Sequence, residues 1–250
     1  MWRCKLNKTG ICKFCGKEAK LVKSHIIPKF LYEYGENSKK VLSIDTRKKQ
    51  NTIYQSGIWD YILCENCEKK MFLYDNEFCN FTRINFENYI FSRDDKSIIY
   101  LIPNNICNYK YLRKFFVSVI WRASISTKSE FKMVDLNKYE KIALDILNDK
   151  YDSENLFSVI LFKEPNNKSI KGLNFLEKTK FDNQTAYKIY FGDFQINIII
   201  NSKDLRNNKD ILNKVQVSKE RILIYESKDI VEYKFNHVID YYRFVKQKRK

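Results

Sequence analysis

The sequence predicts an α+β fold in three consecutive regions: a cysteine-containing N-terminal part, a helical middle, and an antiparallel β-rich region with a closing helix. Three observations support this. Two Cys-x2-Cys pairs lie within the first 67 residues, and aromatic residues recur at helical spacing from residue 65 onward. After residue 150 the apolar pattern shortens to a period of two, which is typical of strands.

The individual elements follow from the same patterns. Strands are predicted where apolar and polar residues alternate, and helices where apolar residues recur every three or four positions. The predicted strands are 19–23, 58–63, 97–102, 156–162, 171–175, 186–191, 194–200 and 221–225, and 41–54 is predicted as strand, turn or loop. The predicted helices are 29–34, one or two within 65–89, 109–125, 136–147 and 230–248. Phe191-Gly-Asp-Phe194 is predicted to be a hairpin turn.

The composition excludes several classes of protein. Hydrophobic residues make up 44% of the 250 residues and aromatic residues 15%, which excludes an intrinsically disordered chain. Only 6 Gly and 3 Pro are present, which excludes collagen-like and linker-like chains. The net charge is +16, from 46 Lys and Arg against 30 Asp and Glu, and the first fifty residues carry +9 of it.

Two explanations compete for this positive surplus. An AT-rich genome would enrich lysine, but acidic codons would then be free to balance it. A polyanionic partner, above all nucleic acid, is therefore preferred. No signal peptide and no apolar run of ~20 residues is visible, so we expect a cytoplasmic protein without a membrane partner. In that reducing compartment, cysteines are expected to be metal ligands or ordinary buried residues.

The strongest motif is Cys-x2-Cys-x48-Cys-x2-Cys. Two such thiolate pairs can complete a tetrahedral Zn²⁺ site, and the long spacer suits a structural zinc that clamps the ends of an inserted segment. Chance pairing among seven cysteines is the alternative. The predicted zinc ligands are Cys12, Cys15, Cys64 and Cys67. The thiols expected to be free and inert are Cys4, Cys79 and Cys107.

One of the two histidines lies between these cysteine pairs. His25 stands in Ser-His-Ile-Ile-Pro, whereas His237 is expected to be a structural or surface residue. A lone histidine in an apolar sequence is more often structural than catalytic. The adjoining cysteine motifs reverse that preference for His25.

Together, CKFCG at 12–16, SHIIP at 24–28 and ILCENCE at 62–68 resemble the HNH endonucleases, the zinc-bearing ββα-metal or His-Me finger nucleases. The resemblance covers roughly residues 10–80. SHIIPKF and VSVIWR at 117–122 also look like a group of uncharacterised bacterial HNH-like proteins, loosely associated with mobile-element or phage-defence contexts.

The resemblance implies a fold and an activity. The fold is an N-terminal zinc-stabilised ββα-metal module over 1–95, and the activity is metal-dependent hydrolysis of phosphodiester bonds, with DNA favoured. His25 would be the general base that deprotonates the attacking water, and Glu68 would help to hold a catalytic Mg²⁺ or Mn²⁺. We interpret 96–250 as an α+β domain that binds nucleic acid, a second copy or a partner protein encoded nearby.

The chain departs from the family pattern at the positions that would hold the catalytic metal ion. Ser24 stands where the family has Asp or His, and Glu68 has an alternative role as a carboxylate at a helix N-terminus. Other candidate acidic ligands are Asp45 and Asp60, together with Asp75 and Glu77, which lie two or more helical turns beyond Glu68, an unfavourable distance for sharing an ion. Asn51 is the nearest counterpart of the family's hairpin asparagine.

Basic residues cluster around the same motifs. Those predicted to contact nucleic acid are Lys23, Lys29, Arg47, Lys48 and Lys49, with a solvated lysine face as the alternative. Two other functions stay open. One is a catalytically degenerate, zinc-stabilised nucleic-acid-binding or scaffold subunit, and the other is an RNase toxin.

Overall fold

The computed structural model describes residues 8–32, 41–45, 50–54, 57–95, 97–163, 174–181, 183–191, 193–203, 218 and 222–227. In these ranges the protein is a mixed α+β structure with three α-helices, a three-stranded sheet, a two-stranded hairpin and a seven-stranded sheet. The predicted α+β class and its antiparallel β-rich region are confirmed. None of the described helices is long and apolar enough to cross a membrane.

The N-terminal sheet leads directly into the first helix. Its strands are β1 (Thr9–Ile11), β2 (Glu18–His25) and β5 (Trp59–Cys64), in the order β1-β2-β5, and the hairpin of β3 (Val41–Asp45) and β4 (Gln50–Tyr54) lies between β2 and β5 in sequence. Helix α1 (Glu65–Phe81) begins at the residue after β5. The region predicted as a helix over 29–34 is a single 3-10 turn, Lys29–Tyr32.

Two further helices form the middle of the chain. Helix α2 (Tyr109–Ile125) has the predicted limits, and the side-chain oxygen of its N-cap, Asn108, accepts a hydrogen bond from the backbone of Tyr111 at 3.2 Å. Helix α3 (Tyr139–Leu147) begins three residues later than predicted. The reason is local, because Asn137 has a φ of 47°, in the left-handed region, which a right-handed helix cannot include.

The seven-stranded sheet has the order β6-β7-β12-β8-β11-β10-β9. Its strands are β6 (Ile90–Arg93), β7 (Ser97–Ile102), β8 (Leu156–Lys163), β9 (Asn174–Phe181), β10 (Gln184–Phe191), β11 (Phe194–Asn201) and β12 (Ile222–Ser227). All neighbours are antiparallel except β8 and β12. Phe191 pairs with Phe194, which confirms the predicted hairpin.

Three strands depart from the prediction. β1 has only three residues and β6 only four, and most of them are exposed. Neither strand therefore has an alternating apolar pattern from which it could be predicted. β9 runs well beyond the predicted 171–175, since it is an edge strand whose exposed charges, Glu177, Lys178 and Lys180, hide the pattern. The predicted helix over 230–248 and His237 lie outside the described residues.

One aromatic core joins the helices to the large sheet. The ring of Phe78 on α1 stacks on Phe115 of α2 with centroids 4.2 Å apart, and it also contacts Phe191 and Phe194 of the sheet. All four side chains are buried. The residues before and after position 96 therefore share this hydrophobic core.

A charged cluster fastens α2 to the segment after α3. Asp149 accepts hydrogen bonds from Lys110 at 2.7 Å and Lys114 at 2.6 Å, and the Lys114 side chain is only 5% exposed. Hydrogen bonds from these two lysines lower the pKa of Asp149 to about 2. The Lys114 ammonium is thus removed from water and depends on Asp149 for its compensating charge.

We expect Asp149→Asn to destabilise the protein by about 1–3 kcal/mol at neutral pH, because a buried ammonium loses its anionic partner. Asn tolerates the left-handed φ of 60° at this position as well as Asp does. The free energy of unfolding in urea measures the loss. A matched control is Glu87→Gln, which removes an ion pair with Arg93 whose side chains are both at least half exposed.

The destabilisation caused by Asp149→Asn must also become smaller as the pH falls. The pKa of Asp149 is depressed, so its stabilisation is present above its ordinary value of 3.8 and is lost as the pH falls through about 2. The stability difference between wild type and Asp149→Asn should therefore shrink between pH 4 and pH 2. A difference that stays constant over that range would contradict this account of the cluster.

Candidate functional site

Four cysteines converge where β5 meets α1. The ligand atoms of Cys12, Cys15, Cys64 and Cys67 all lie within 4.8 Å of one another. A tetrahedral zinc with bonds of ~2.3 Å requires sulfur atoms about 3.8 Å apart, so the cluster fits such an ion with only small adjustments. The sequence-predicted ligand set is thus brought together, although its members come from segments separated by 48 residues.

Local backbone geometry shapes the first cysteine pair into a tight turn. Gly16 has a φ of 72°, which glycine adopts without strain, and its amide donates to the carbonyl of Cys12 at 2.9 Å. The amide of Cys64 donates to the sulfur of Cys12 at 3.3 Å. Burial opposes the thiolate of Cys12, but amides of Cys15, Cys64 and Phe14 outweigh it and lower the pKa to about 7. Donors aimed at this sulfur favour the thiolate form that a metal ligand needs.

The remaining described cysteines lie apart from this cluster. Cys107 is buried and donates to Glu77 at 3.3 Å, and burial raises the pKa of its thiol. A protonated, buried thiol is unreactive, as expected for Cys107. Cys79 is half-buried and free, and Cys4 lies outside the described residues.

His25 is the last residue of β2 and lies opposite Trp59, the first residue of β5. The pairing is irregular just before it: Tyr61 and Ile62 of β5 together face the single Lys23 of β2. Such a bulge redirects the side chains that follow it, and bulges are frequent next to active sites. Ser24 therefore pairs with Asp60, and both of these side chains are buried.

Arg122 links this strand end to α1 and α2. Its Nη1 donates to the carbonyl oxygen of His25 at 2.9 Å, and Nη2 donates to Asp75 at 2.8 Å. Further bonds reach the carbonyl and hydroxyl oxygens of Ser118. The Arg122 side chain is fully buried, and Asp75 is 16% exposed. A residue from α2 thus holds both the backbone of His25 and a carboxylate of α1 in place.

Glu68 and Ser24 form a buried pair of oxygen groups beside this ion pair. Burial raises the pKa of Glu68, and the neighbouring Ser24 and Arg122 oppose that rise. Although Ser24 lies near the Glu68 carboxylate, neither Ser24 Oγ nor Glu68 Oε2 has a hydrogen-bond partner of good geometry within the described part of the chain. Such buried, unsatisfied oxygens are costly unless an ion or water completes them.

Asp75 interacts electrostatically with Glu68 and with His25. Burial raises its pKa, while Arg122 and His25 lower it, and its charge in turn raises the pKa of Glu68. Seven residues make almost two full turns, so Glu68 and Asp75 share one face of α1. That spacing was the available signal for Asp75. Arg122 ends the VSVIWR motif, which together with SHIIPKF looks like the bacterial HNH-like proteins, but that resemblance does not predict the contact between Arg122 and His25.

Two other acidic candidates have structural roles. Asp60 accepts hydrogen bonds from the amide and hydroxyl of Thr127, each at 2.8 Å, which ties β5 to the end of α2. Burial would raise the pKa of Asp60, but the bonds from Thr127 and Tyr61 outweigh it and lower the pKa. Glu77 accepts a hydrogen bond from the amide of Asn108 at 2.7 Å, just before α2.

The predicted nucleic-acid contacts are described only in part. Lys23 and Lys29 are exposed, and the Nζ of Lys23 lies 4.3 Å from the ring centroid of Trp59. Arg47, Lys48 and Lys49 lie outside the described residues, as do the side chains of Asp45 and Asn51.

We expect Cys12→Ser to abolish stoichiometric zinc binding, because it replaces the fully buried sulfur of the cluster. Structural zinc contributes on the order of 10 kcal/mol in small zinc domains, so the melting temperature should fall by about 10 °C or more. Elemental analysis and a thermal melt measure the two effects.

Cys79→Ser is the matched control, since this thiol lies outside the cluster and should leave the zinc content at one ion per chain. Wild-type protein purified without chelators that contains no zinc would contradict the assignment.

Comparison with known proteins finds no matching family model, and no significant match among curated proteins or solved structures. The function proposed below therefore rests on the sequence motifs of this chain and on the geometry of its own side chains.

Proposed function

We propose that this protein is a metal-dependent endonuclease of the HNH type, with His25 as the general base and DNA as the favoured substrate. The observation that carries the proposal is that Arg122 binds both the carbonyl of His25 and Asp75 of α1, while Ser24, the residue before His25, lies near Glu68. The four-cysteine cluster lies at the junction of β5 and α1. A strand-borne imidazole beside helix-borne carboxylates is an arrangement suited to hydrolysis of a phosphodiester.

The side-chain oxygens of Glu68 and Ser24 suit a divalent cation. Mg²⁺ and Mn²⁺ prefer carboxylate, hydroxyl and water oxygens, and Glu68 Oε2 with Ser24 Oγ supplies two such atoms without a partner among the described residues. Glu68 would be the anionic ligand and Ser24 a neutral one. A bound ion would stabilise the charge that develops on the phosphate and on the leaving oxygen.

His25 would take a proton from the attacking water. An ordinary imidazole has a pKa of ~6.5 and accepts a proton readily near neutral pH. Asp75 interacts electrostatically with His25, and its carboxylate also binds Arg122. Arg122 holds the carbonyl of His25 and so fixes the strand end from which the imidazole projects.

A second candidate function is a zinc-stabilised nucleic-acid-binding or scaffold subunit that has lost catalysis. The observation in its favour is the Arg122–Asp75 pair, because a guanidinium that already neutralises Asp75 leaves Glu68 as the anionic ligand near Ser24. An RNase toxin is the third candidate. Assays with supercoiled plasmid and with RNA separate these candidates.

We expect wild-type protein to nick or cut supercoiled plasmid with Mg²⁺ or Mn²⁺, and His25→Ala to reduce the rate by about 10²–10⁴-fold. The measurement is the rate of plasmid conversion on agarose gels, repeated with an RNA substrate and with a candidate partner encoded nearby. His237→Ala is the matched control, because it removes the other of the two imidazoles. Cleavage that survives His25→Ala unchanged would eliminate His25 as the base.

We further expect saturating Mn²⁺ to raise the melting temperature of the zinc-loaded protein by about 5 °C, and Glu68→Gln to remove that increase. The shift reports cation binding without requiring cleavage. The control is Glu65→Gln, which changes a carboxylate in the same first turn that is 71% exposed and bonded to Lys69. An equal shift in Glu68→Gln would place the cation elsewhere.

A further inference from the structure

An aromatic and basic patch lies immediately beside His25. We define the β5 patch as Trp59, Tyr61, Lys8, Lys23 and Lys128. The rings of Trp59 and Tyr61 meet edge to face with centroids 5.3 Å apart, and both side chains are partly exposed. Trp59 is the cross-strand partner of His25, and the Cβ atoms of such partners lie about 5 Å apart.

Three ammonium groups surround these two rings. Lys23 Nζ lies 4.3 Å and Lys128 Nζ 5.4 Å from the Trp59 centroid, and Lys8 Nζ lies 5.0 Å from that of Tyr61. None of the three forms an ion pair with a carboxylate among the described residues. The charge of Lys128 helps to lower the pKa of the nearby Asp60. The oxygens of Asp60, however, already accept hydrogen bonds from Thr127 and Tyr61.

Two positive charges held at one indole repel each other, and an anion placed between them would relieve that repulsion. Phosphates of a nucleic-acid strand supply such anions at regular intervals. The indole supplies a second element, since bases of any sequence stack on aromatic side chains.

Relative magnitudes show that a base can replace lysine on the ring. An exposed cation–π contact contributes less binding free energy than a base stacked on an aromatic side chain. A displaced ammonium keeps its favourable interaction by moving to the phosphate beside that base. The free energy gained by stacking a base on Trp59 is therefore larger than that lost with the cation–π contact it replaces.

We infer that the β5 patch binds an unpaired nucleotide, with its base on Trp59 and its flanking phosphates at Lys23 and Lys128, next to the phosphodiester that faces His25. Bases within a duplex expose only their edges, so this surface selects single-stranded, frayed or flipped-out segments of nucleic acid. The inference rests on the proposed nuclease function for the role of His25, but the binding surface itself does not depend on cleavage.

The test is fluorescence anisotropy with the zinc-loaded full-length chain carrying His25→Ala, without added divalent cations, so that no strand is cut. The probes are a short labelled DNA strand, the same strand in a blunt duplex, and the RNA strand of the same sequence. Added Trp59→Leu should weaken binding of the single strands about tenfold and change duplex binding less than about twofold. Trp59→Phe should retain most of the affinity, because it keeps an aromatic face.

Two controls separate stacking from charge and from folding. Phe91→Leu removes an aromatic residue that is 68% exposed on β6, and it should leave all three affinities unchanged. Lys128→Ala should weaken single-strand and duplex binding alike and reduce the salt dependence of both. Zinc content and melting temperature show whether each variant is folded.

The outcomes distinguish this inference from the endonuclease proposal. If Trp59→Leu selectively weakens single-strand binding while wild-type protein cuts nothing, the patch is supported and the nuclease proposal fails. Cleavage by wild type, with strand binding unaffected by Trp59→Leu, overturns the patch alone. Equal losses of strand and duplex binding in Trp59→Leu, or no binding of any probe by the folded protein, also overturn it.

Discussion

The buried contact between Arg122 and Asp75 is the interaction on which the candidate site depends. A guanidinium removed from water needs a partner for its charge and for its donors, and here it finds them on α1, on α2 and at the carbonyl of His25. Because one side chain satisfies groups from three elements, these elements cannot shift independently. The geometry around His25 therefore depends on α2, which lies almost one hundred residues further along the chain.

The cysteine cluster imposes a complementary constraint from the other side. It joins the turn before β2 to the first turn of α1, so the strand that carries His25 and the helix that carries Glu68 share one anchor. The pairing of β2 with β5 then places Ser24 against Asp60 in the interior and His25 opposite Trp59. The cysteine cluster, the strand pairing and the ion pair act on adjoining parts of β2, β5 and α1, which explains how unsatisfied oxygens can be held in a buried position.

Most of the elements could be predicted because their patterns are local. Strand β7 and helix α2 have the predicted limits, and the Phe191–Phe194 turn was marked by its Gly-Asp pair. Elements without a local pattern were missed or shortened. β1 and β6 are short and exposed, and the edge strand β9 carries charges that interrupt its alternation. A two-residue period is visible only where one face is buried.

The candidate site divides in the same way. The sequence by itself determined which cysteines belong together and singled out His25 and Glu68, because metal-ligand spacing and short motifs are properties of neighbouring residues. Only the tertiary structure decided that Asp75 interacts with His25, that Arg122 holds both, that Asp60 and Glu77 serve as structural acceptors, and that Trp59 lies beside His25 among lysines. These relations join residues far apart in the chain, and burial and packing alone bring them into contact.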